Sequence, residues 1–185
     1  MEKTSFVSSW RKPLLCFILG YLCIASVNAQ STAQRYIQEH SQLAMKLMQK
    51  SGVPASVILG VAMVESSLGR SKSSKVLNNH FGIIGKNDMA SEGYQSPYRQ
   101  FRNAESSYES FVQIVASKSF YENLKGSLDF TKWLTNLNKA GYCATNQSVW
   151  LRDIKFFINK YSLVRYDKVA GWQKYRLDLL DVLNR

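Results

Sequence analysis

Apolar positions recur at helical spacing along most of the chain, and one stretch breaks that rhythm. From Ser31 to Lys50, Tyr36, Ile37, Leu43, Ala44, Leu47 and Met48 fall near a 3.6-residue period, predicting an amphipathic helix that Ser51-Gly52 ends. Val53 to Val64 is apolar around nearly its whole circumference, which predicts a helix buried on all sides. Pro54 suits its first helical position, and Gly69 lies just past its end. Gly69 to Asn79 is rich in Ser, Lys and Asn and reads as a loop. Phe81 to Gly85 is a short apolar segment between glycines, a strand or a turn. Lys86 to Gln100 is loop-like, with Tyr94, Tyr98 and Phe101 supporting a small hairpin. Helical period returns in Ala104, Tyr108, Phe111, Val112 and Val115, then in Phe130, Trp133, Leu134 and Leu137 up to Gly141. Val149 to Tyr161 places Leu151, Ile154, Phe157, Ile158 and Tyr161 on one side, and a last helix is expected from Ala170 to Leu183. The fold class is mainly α, with at most a small β element and no internal repeat.

Glu65 closes the apolar stretch, seven residues after Ile58 and four after Val61, so it continues an inward-facing stripe. Apolar surroundings and the negative end of the helix dipole both disfavour its carboxylate. A carboxyl kept protonated near neutrality is what a general acid requires.

The first 29 residues read as a secretory signal peptide: Lys3, Arg11 and Lys12 precede an apolar run from Leu14 to Ala25, and Val27-Asn28-Ala29 offers the cleavage site. The run is shorter than the about 20 apolar residues a membrane span needs. Residues 30–185 are then expected to form one exported domain, periplasmic or associated with the cell wall. The net charge of +11 stays mostly with that domain and suits an anionic partner such as cell-wall polymer, acidic lipid or nucleic acid, although simple solubility explains it as well. Cys143 is the only cysteine left after cleavage, so the domain relies on packing rather than an internal disulfide.

Metal and nucleophile chemistry find no support. His40 and His80 stand outside any ligand-spaced cluster, and His40 is expected on a helix surface. No Gly-x-Ser-x-Gly elbow, phosphate-cradling glycine loop or Cys–His signature is present, so no metal or cofactor is expected. A nucleic-acid partner explains the charge and neither the export signal nor the buried acid.

What remains is a carboxyl-centred site. Glu65-Ser66-Ser67-Leu68-Gly69-Arg70-Ser71, then Asn78-Asn79-His80-Phe81-Gly82-Ile83, then Gly141-Tyr142 with Ala144-Thr145-Asn146, resemble the blocks of the N-acetylglucosaminidase family of glycoside hydrolases, which includes the flagellar peptidoglycan hydrolase domain and many autolysins. The resemblance runs from about Ser31 to Leu163. It implies a lysozyme-like, mostly helical fold with a small β-hairpin lobe, reduced here. It also implies peptidoglycan glycan strands as the partner, cut at the β-1,4 bond between N-acetylglucosamine and N-acetylmuramic acid. Glu65 matches the family's catalytic acid, Tyr142 the tyrosine beside the scissile sugar, and Phe81 and Gly82 the segment lining the groove, with Asn79 and His80 as further substrate contacts. Phe81 fits plain core packing equally well.

Two departures from the family pattern stand out. Cys143 interrupts the third block, and Trp150 stands where a tyrosine usually begins the next helix, which reads as an inserted residue or two in a loop. The segment that usually carries a second carboxylate is short, leaving Asp88 and Glu92, of which Glu92 precedes Gly93-Tyr94 and is preferred. Water attack is then assisted by Glu92 or by the substrate's own acetamido group, and the second route needs no further protein carboxylate. The rival enzyme is a lytic transglycosylase or lysozyme-type muramidase, though Asn79 to Ile84 replaces the Gly-Leu-Met-Gln-like block usual there. A non-catalytic wall-binding protein is the rival of another class.

Overall fold

The computed structural model describes residues 30–143 and 146–171. The expected signal peptide, Ala144 and Thr145 of the third block, and the expected terminal helix from Trp172 onward lie outside the described residues.

Helix α1 spans Thr32–Ser51 and buries Tyr36, Ile37, Ala44 and Leu47, as its periodicity predicts, with Met45 buried as well and Leu43 and Met48 half-buried. Helix α2 spans Ala55–Glu65, and every residue from Ala55 to Met63 is buried. Pro54 caps it from outside rather than occupying its first turn, with an extended ψ of 137°. Around α2 pack α1 and α7 (Gln147–Lys160) most heavily, with α6 (Phe130–Lys139) alongside. Helix α4 (Ala104–Ala116) lies against α1, and the single turn α5 (Tyr121–Leu124) follows it. Trp133, Tyr108, Phe111, Leu134, Ile154 and Ile158 fill the space between these helices. The buried helix is thus the axle of the fold, and burying so much apolar surface is its main source of stability.

Gly60 lies mid-way along α2, where a glycine ordinarily weakens a helix. A Cβ there would come within 2.9 Å of Ile158 Cγ1 and 3.0 Å of Ile154 Cγ2. The missing side chain is what lets α7 close onto α2.

Three expectations are corrected. The polar stretch Gly69–Asn79 is not all loop: it contains α3, Lys72–Leu77. Ser71 caps α3 by accepting from Ser74 N, Asn78 ends it in the left-handed region, and Leu77 is fully buried, so capping outweighs the polar composition. A helical stretch begins at Val164, earlier than the Ala170 start expected from the sequence. His40 is half-buried rather than on the surface, its ring stacked on that of Tyr108 at 5.3 Å and edge-on to that of His80 at 5.0 Å. The β element is as small as it can be: among the described residues it is one antiparallel bridge, Ile84 to Tyr98, with a 3-10 turn at Met89–Glu92 between them.

Candidate active site

Glu65 is half-buried at the C-terminal end of α2. Its Oε1 accepts a 2.7 Å hydrogen bond from the indole Nε1 of Trp150, itself buried in the first turn of α7. Oε2 has no hydrogen-bond partner among the described residues and faces Gly82, where a Cβ would stand 3.3 Å from it. Burial raises the Glu65 pKa, and the Trp150 donor opposes that rise without cancelling it. The acid therefore has one oxygen tied down and one open, with its proton held more tightly than in water.

The residues after Glu65 explain why this block has its composition. The chain reverses through Ser67, Leu68 and Gly69, all at positive φ (50°, 60° and 74°). Two consecutive non-glycine residues in that region are strained, so the turn must be held from elsewhere. Buried Ser66 holds it, its hydroxyl donating to Ala62 O at 2.6 Å and accepting from Gly69 N at 2.8 Å. At Gly69 a Cβ would press to 3.1 Å on the Tyr36 ring. The small residues after the acid thus pack its support against α1.

The second block forms the wall facing Glu65. Phe81 is buried, stacked on Phe111 with centroids 4.3 Å apart and edge-on to Tyr108, so its ring belongs to the core. Its carbonyl accepts the Tyr142 hydroxyl at 3.0 Å, which ties the third block to the second. Tyr142 is half-buried, and its pKa is pushed well above the ordinary phenol value by burial and then by the nearby Glu65 charge. Gly82 has a φ of 64°, a backbone state suited to glycine, and the absent side chain leaves Oε2 approachable.

Asn79 and His80 work inside the wall. Asn79 is fully buried; its amide donates 2.8 Å bonds to Ile83 O and Arg99 O, and its oxygen accepts from Phe81 N and Ile83 N. His80 Nδ1 lies 2.8 Å from the Tyr36 hydroxyl, which also meets Tyr108 Oη at 3.0 Å. Burial, with His40 beside it, lowers the His80 pKa to about 4, and burial pushes Tyr36 up to about 12, so both stay neutral at pH 7. These two residues set the shape of the wall through its backbone. Glu92 and Asp88 are exposed at the 3-10 turn. A shallow depression of about 310 Å³ bounded by Lys86, Asn87, Asp88, Gln100, Phe101 and Arg102 lies along this loop and does not include Glu65.

The structure thus brings together Glu65, Gly82, the Phe81 carbonyl and Tyr142, and adds Trp150, which sequence reasoning noted only as a departure. No local signal pairs it with Glu65, because the two residues lie 85 positions apart in the chain. No cluster of His, Cys, Asp and Glu suited to a metal ion occurs among the described residues. No helix among them is long and apolar enough to cross a membrane.

Comparison with known proteins gives the following. A family profile described as mannosyl-glycoprotein endo-beta-N-acetylglucosaminidase, the glucosaminidase family, matches residues 41–163, a span holding every residue of the site. The catalytic domain of the autolysin Auto from Listeria monocytogenes matches over 88% of this chain and 100% of its own, at a TM-score of 0.63 and 22% identity. The glycoside hydrolase domain of FlgJ from Salmonella typhimurium matches over 79% of this chain and 98% of its own, at a TM-score of 0.54 and 18% identity. A peptidoglycan hydrolase mutant from Sphingomonas sp. A1 matches over 72% of this chain and 97% of its own, at a TM-score of 0.55 and 18% identity. At these identities the structural matches establish the shared, mostly helical fold. Among curated proteins no sequence match was found.

Proposed function

The chain belongs to the glucosaminidase family of glycoside hydrolases, and from that premise we propose that it hydrolyses peptidoglycan. The bond cut is the β-1,4 link between N-acetylglucosamine and N-acetylmuramic acid, and Glu65 is the general acid. One observation carries this assignment: a half-buried carboxyl with a raised pKa has one oxygen fixed by Trp150 and the other open beside a glycine. Protonated at Oε2, Glu65 gives its proton to the leaving glycosidic oxygen as the bond to the anomeric carbon breaks. The positive charge that develops on that carbon is met by the substrate's own acetamido oxygen; water then attacks the carbon, the acetamido oxygen leaves it, and the water's proton passes to the Glu65 carboxylate, which restores the acid. The exposed position of Glu92 favours this route over carboxylate-assisted attack. Tyr142 donates its hydroxyl proton to the Phe81 carbonyl and keeps its lone pairs, so it suits an acetamido N–H as an acceptor. Residues 1–29 support export, with action at the cell wall.

The test is digestion of purified peptidoglycan by the wild type and by Glu65→Gln, with the new chain ends identified. Reducing N-acetylglucosamine ends from the wild type and none from Glu65→Gln are expected. Anhydro-muramic ends would mark a transglycosylase, glycan binding without new ends a wall-binding protein, and near-normal turnover by Glu65→Gln would remove its role as acid.

A further inference from the structure

We propose that Ile84 and Tyr98 form a sugar platform beside the acid, taking one N-acetylhexosamine ring of the glycan strand; this rests on the function proposed above. The two residues face each other across the antiparallel bridge. Gly85 N donates to Pro97 O and Arg99 N to Ile83 O, which makes Ile84 and Tyr98 a pair without hydrogen bonds between them. Side chains of such a pair lie close together on one face. Both are exposed, Ile84 at 75% and Tyr98 at 37%. By contrast, the exposed Phe156 carries the Lys160 ammonium 5.1 Å above its ring.

Position and rigidity distinguish this pair from a chance exposure. A Cβ on Gly82 would stand 3.9 Å from Tyr98 Cε1 and 3.3 Å from Glu65 Oε2, so the ring edge and the acid both border the space that a Gly82 side chain would fill. Asn79 clamps Ile83 O and Arg99 O from the buried side, and Asn87 binds Ser96 O and Tyr98 O, each at 2.8 Å. A partly exposed apolar surface is therefore held in place by its backbone, which lowers the ordering cost of binding. A pyranose presents a face of C–H groups that packs on an aromatic ring, and its acetamido methyl suits an aliphatic neighbour. Asn79 thereby contributes to substrate binding as a positioning residue, through the backbone it holds.

The experiment uses the full chain and glycan strands stripped of peptide. In a Glu65→Gln background, which prevents turnover, Tyr98→Ala is expected to raise the Kd for these strands about tenfold, and Tyr98→Phe to stay within about twofold. In the active protein, Tyr98→Ala raises KM with kcat unchanged, the mark of binding shared by ground and transition states. Ile84→Ser weakens binding in the same direction. An unchanged Kd for Tyr98→Ala, or a fall in kcat at constant KM, overturns the platform while leaving Glu65 as the acid. A wild type that neither binds nor cuts the strands overturns both.

Discussion

The two ends of helix α2 each hold a carboxyl withdrawn from water, Asp167 buried and Glu65 half-buried, and they treat it in opposite ways. At the N-terminal end Asp167, reaching over from the segment after α7, accepts Ser56 N on Oδ1 at 2.8 Å and Ser56 Oγ on Oδ2 at 2.6 Å. At the C-terminal end Glu65 receives one donor, Trp150, and keeps Oε2 open. Burial raises each pKa above its ordinary value. The helix dipole favours charge on Asp167 and opposes it on Glu65. Burial is common to both, so what sets Glu65 apart for the acid role proposed above is its unfilled oxygen. Asp167 caps a helix that has no side-chain cap of its own, and Glu65 is left able to give up a proton.

Exchanging the two acids one at a time tests this division at its largest. Glu65→Gln should cut glycan hydrolysis about 10²- to 10⁴-fold, the range for a lost general acid. Its stability should not suffer. The raised pKa means the folded state binds the Glu65 proton more tightly than the unfolded chain does. That stabilisation is complete below the unfolded carboxyl pKa and is lost as pH rises through the folded value. Gln incurs no such loss, so thermal melting at pH 8 should occur at or above the wild-type temperature. Asp167→Ala should do the reverse, leaving Ser56 N and Oγ unpaired at about 2–4 kcal/mol of stability while folded molecules keep their activity. Asp167→Asn should restore most of that loss. Melting curves and specific activity on the same samples separate the cases, and a stable but inactive Asp167→Ala would erase the contrast.

Local features were legible in the sequence and distant pairings were not. The apolar run announced α2, and the position of Glu65 at its end announced a desolvated acid. What Glu65 bonds to could not be read, because Trp150 lies 85 residues away in the chain and meets it only once α7 docks. The cap from Asp167, 111 residues from Ser56, was hidden for the same reason. Asn79 and Phe81 were legible as a block but not as to which way each faces, since a buried amide and a ligand-facing amide have the same sequence. In α3, serines that lower helix propensity in an interior act as caps at its start, so composition misled where position decided.

Gly60 sharpens the comparison from the middle of the helix. Gly60→Ala should gain about 1 kcal/mol in helix propensity. It should also cost about 1–3 kcal/mol, because the new methyl presses on Ile154 and Ile158 in a full core. The net destabilisation expected is about 1 kcal/mol. Activity should fall further than stability, about tenfold, because moving α7 outward carries Trp150 away from Glu65. Thermal melting and kcat together check this; full activity with lowered stability would show that the placement of α7 does not matter to the acid.

Trp150→Phe makes the smallest change, keeping an aromatic ring and removing one N–H. The indole donor favours the charged form of Glu65, so its loss should move the Glu65 pKa further up. As the proposed general acid, Glu65 would act protonated, so activity should decline as pH rises through that pKa. The alkaline limb of the pH–rate profile should therefore shift to higher pH in Trp150→Phe, while kcat at the optimum falls because Oε1 is no longer fixed. A purely structural role for Trp150 would lower activity at every pH and leave the limb in place. An upward shift would mean that one indole both aims the acid and tempers it, making Glu65 more nearly like Asp167 without filling its last oxygen.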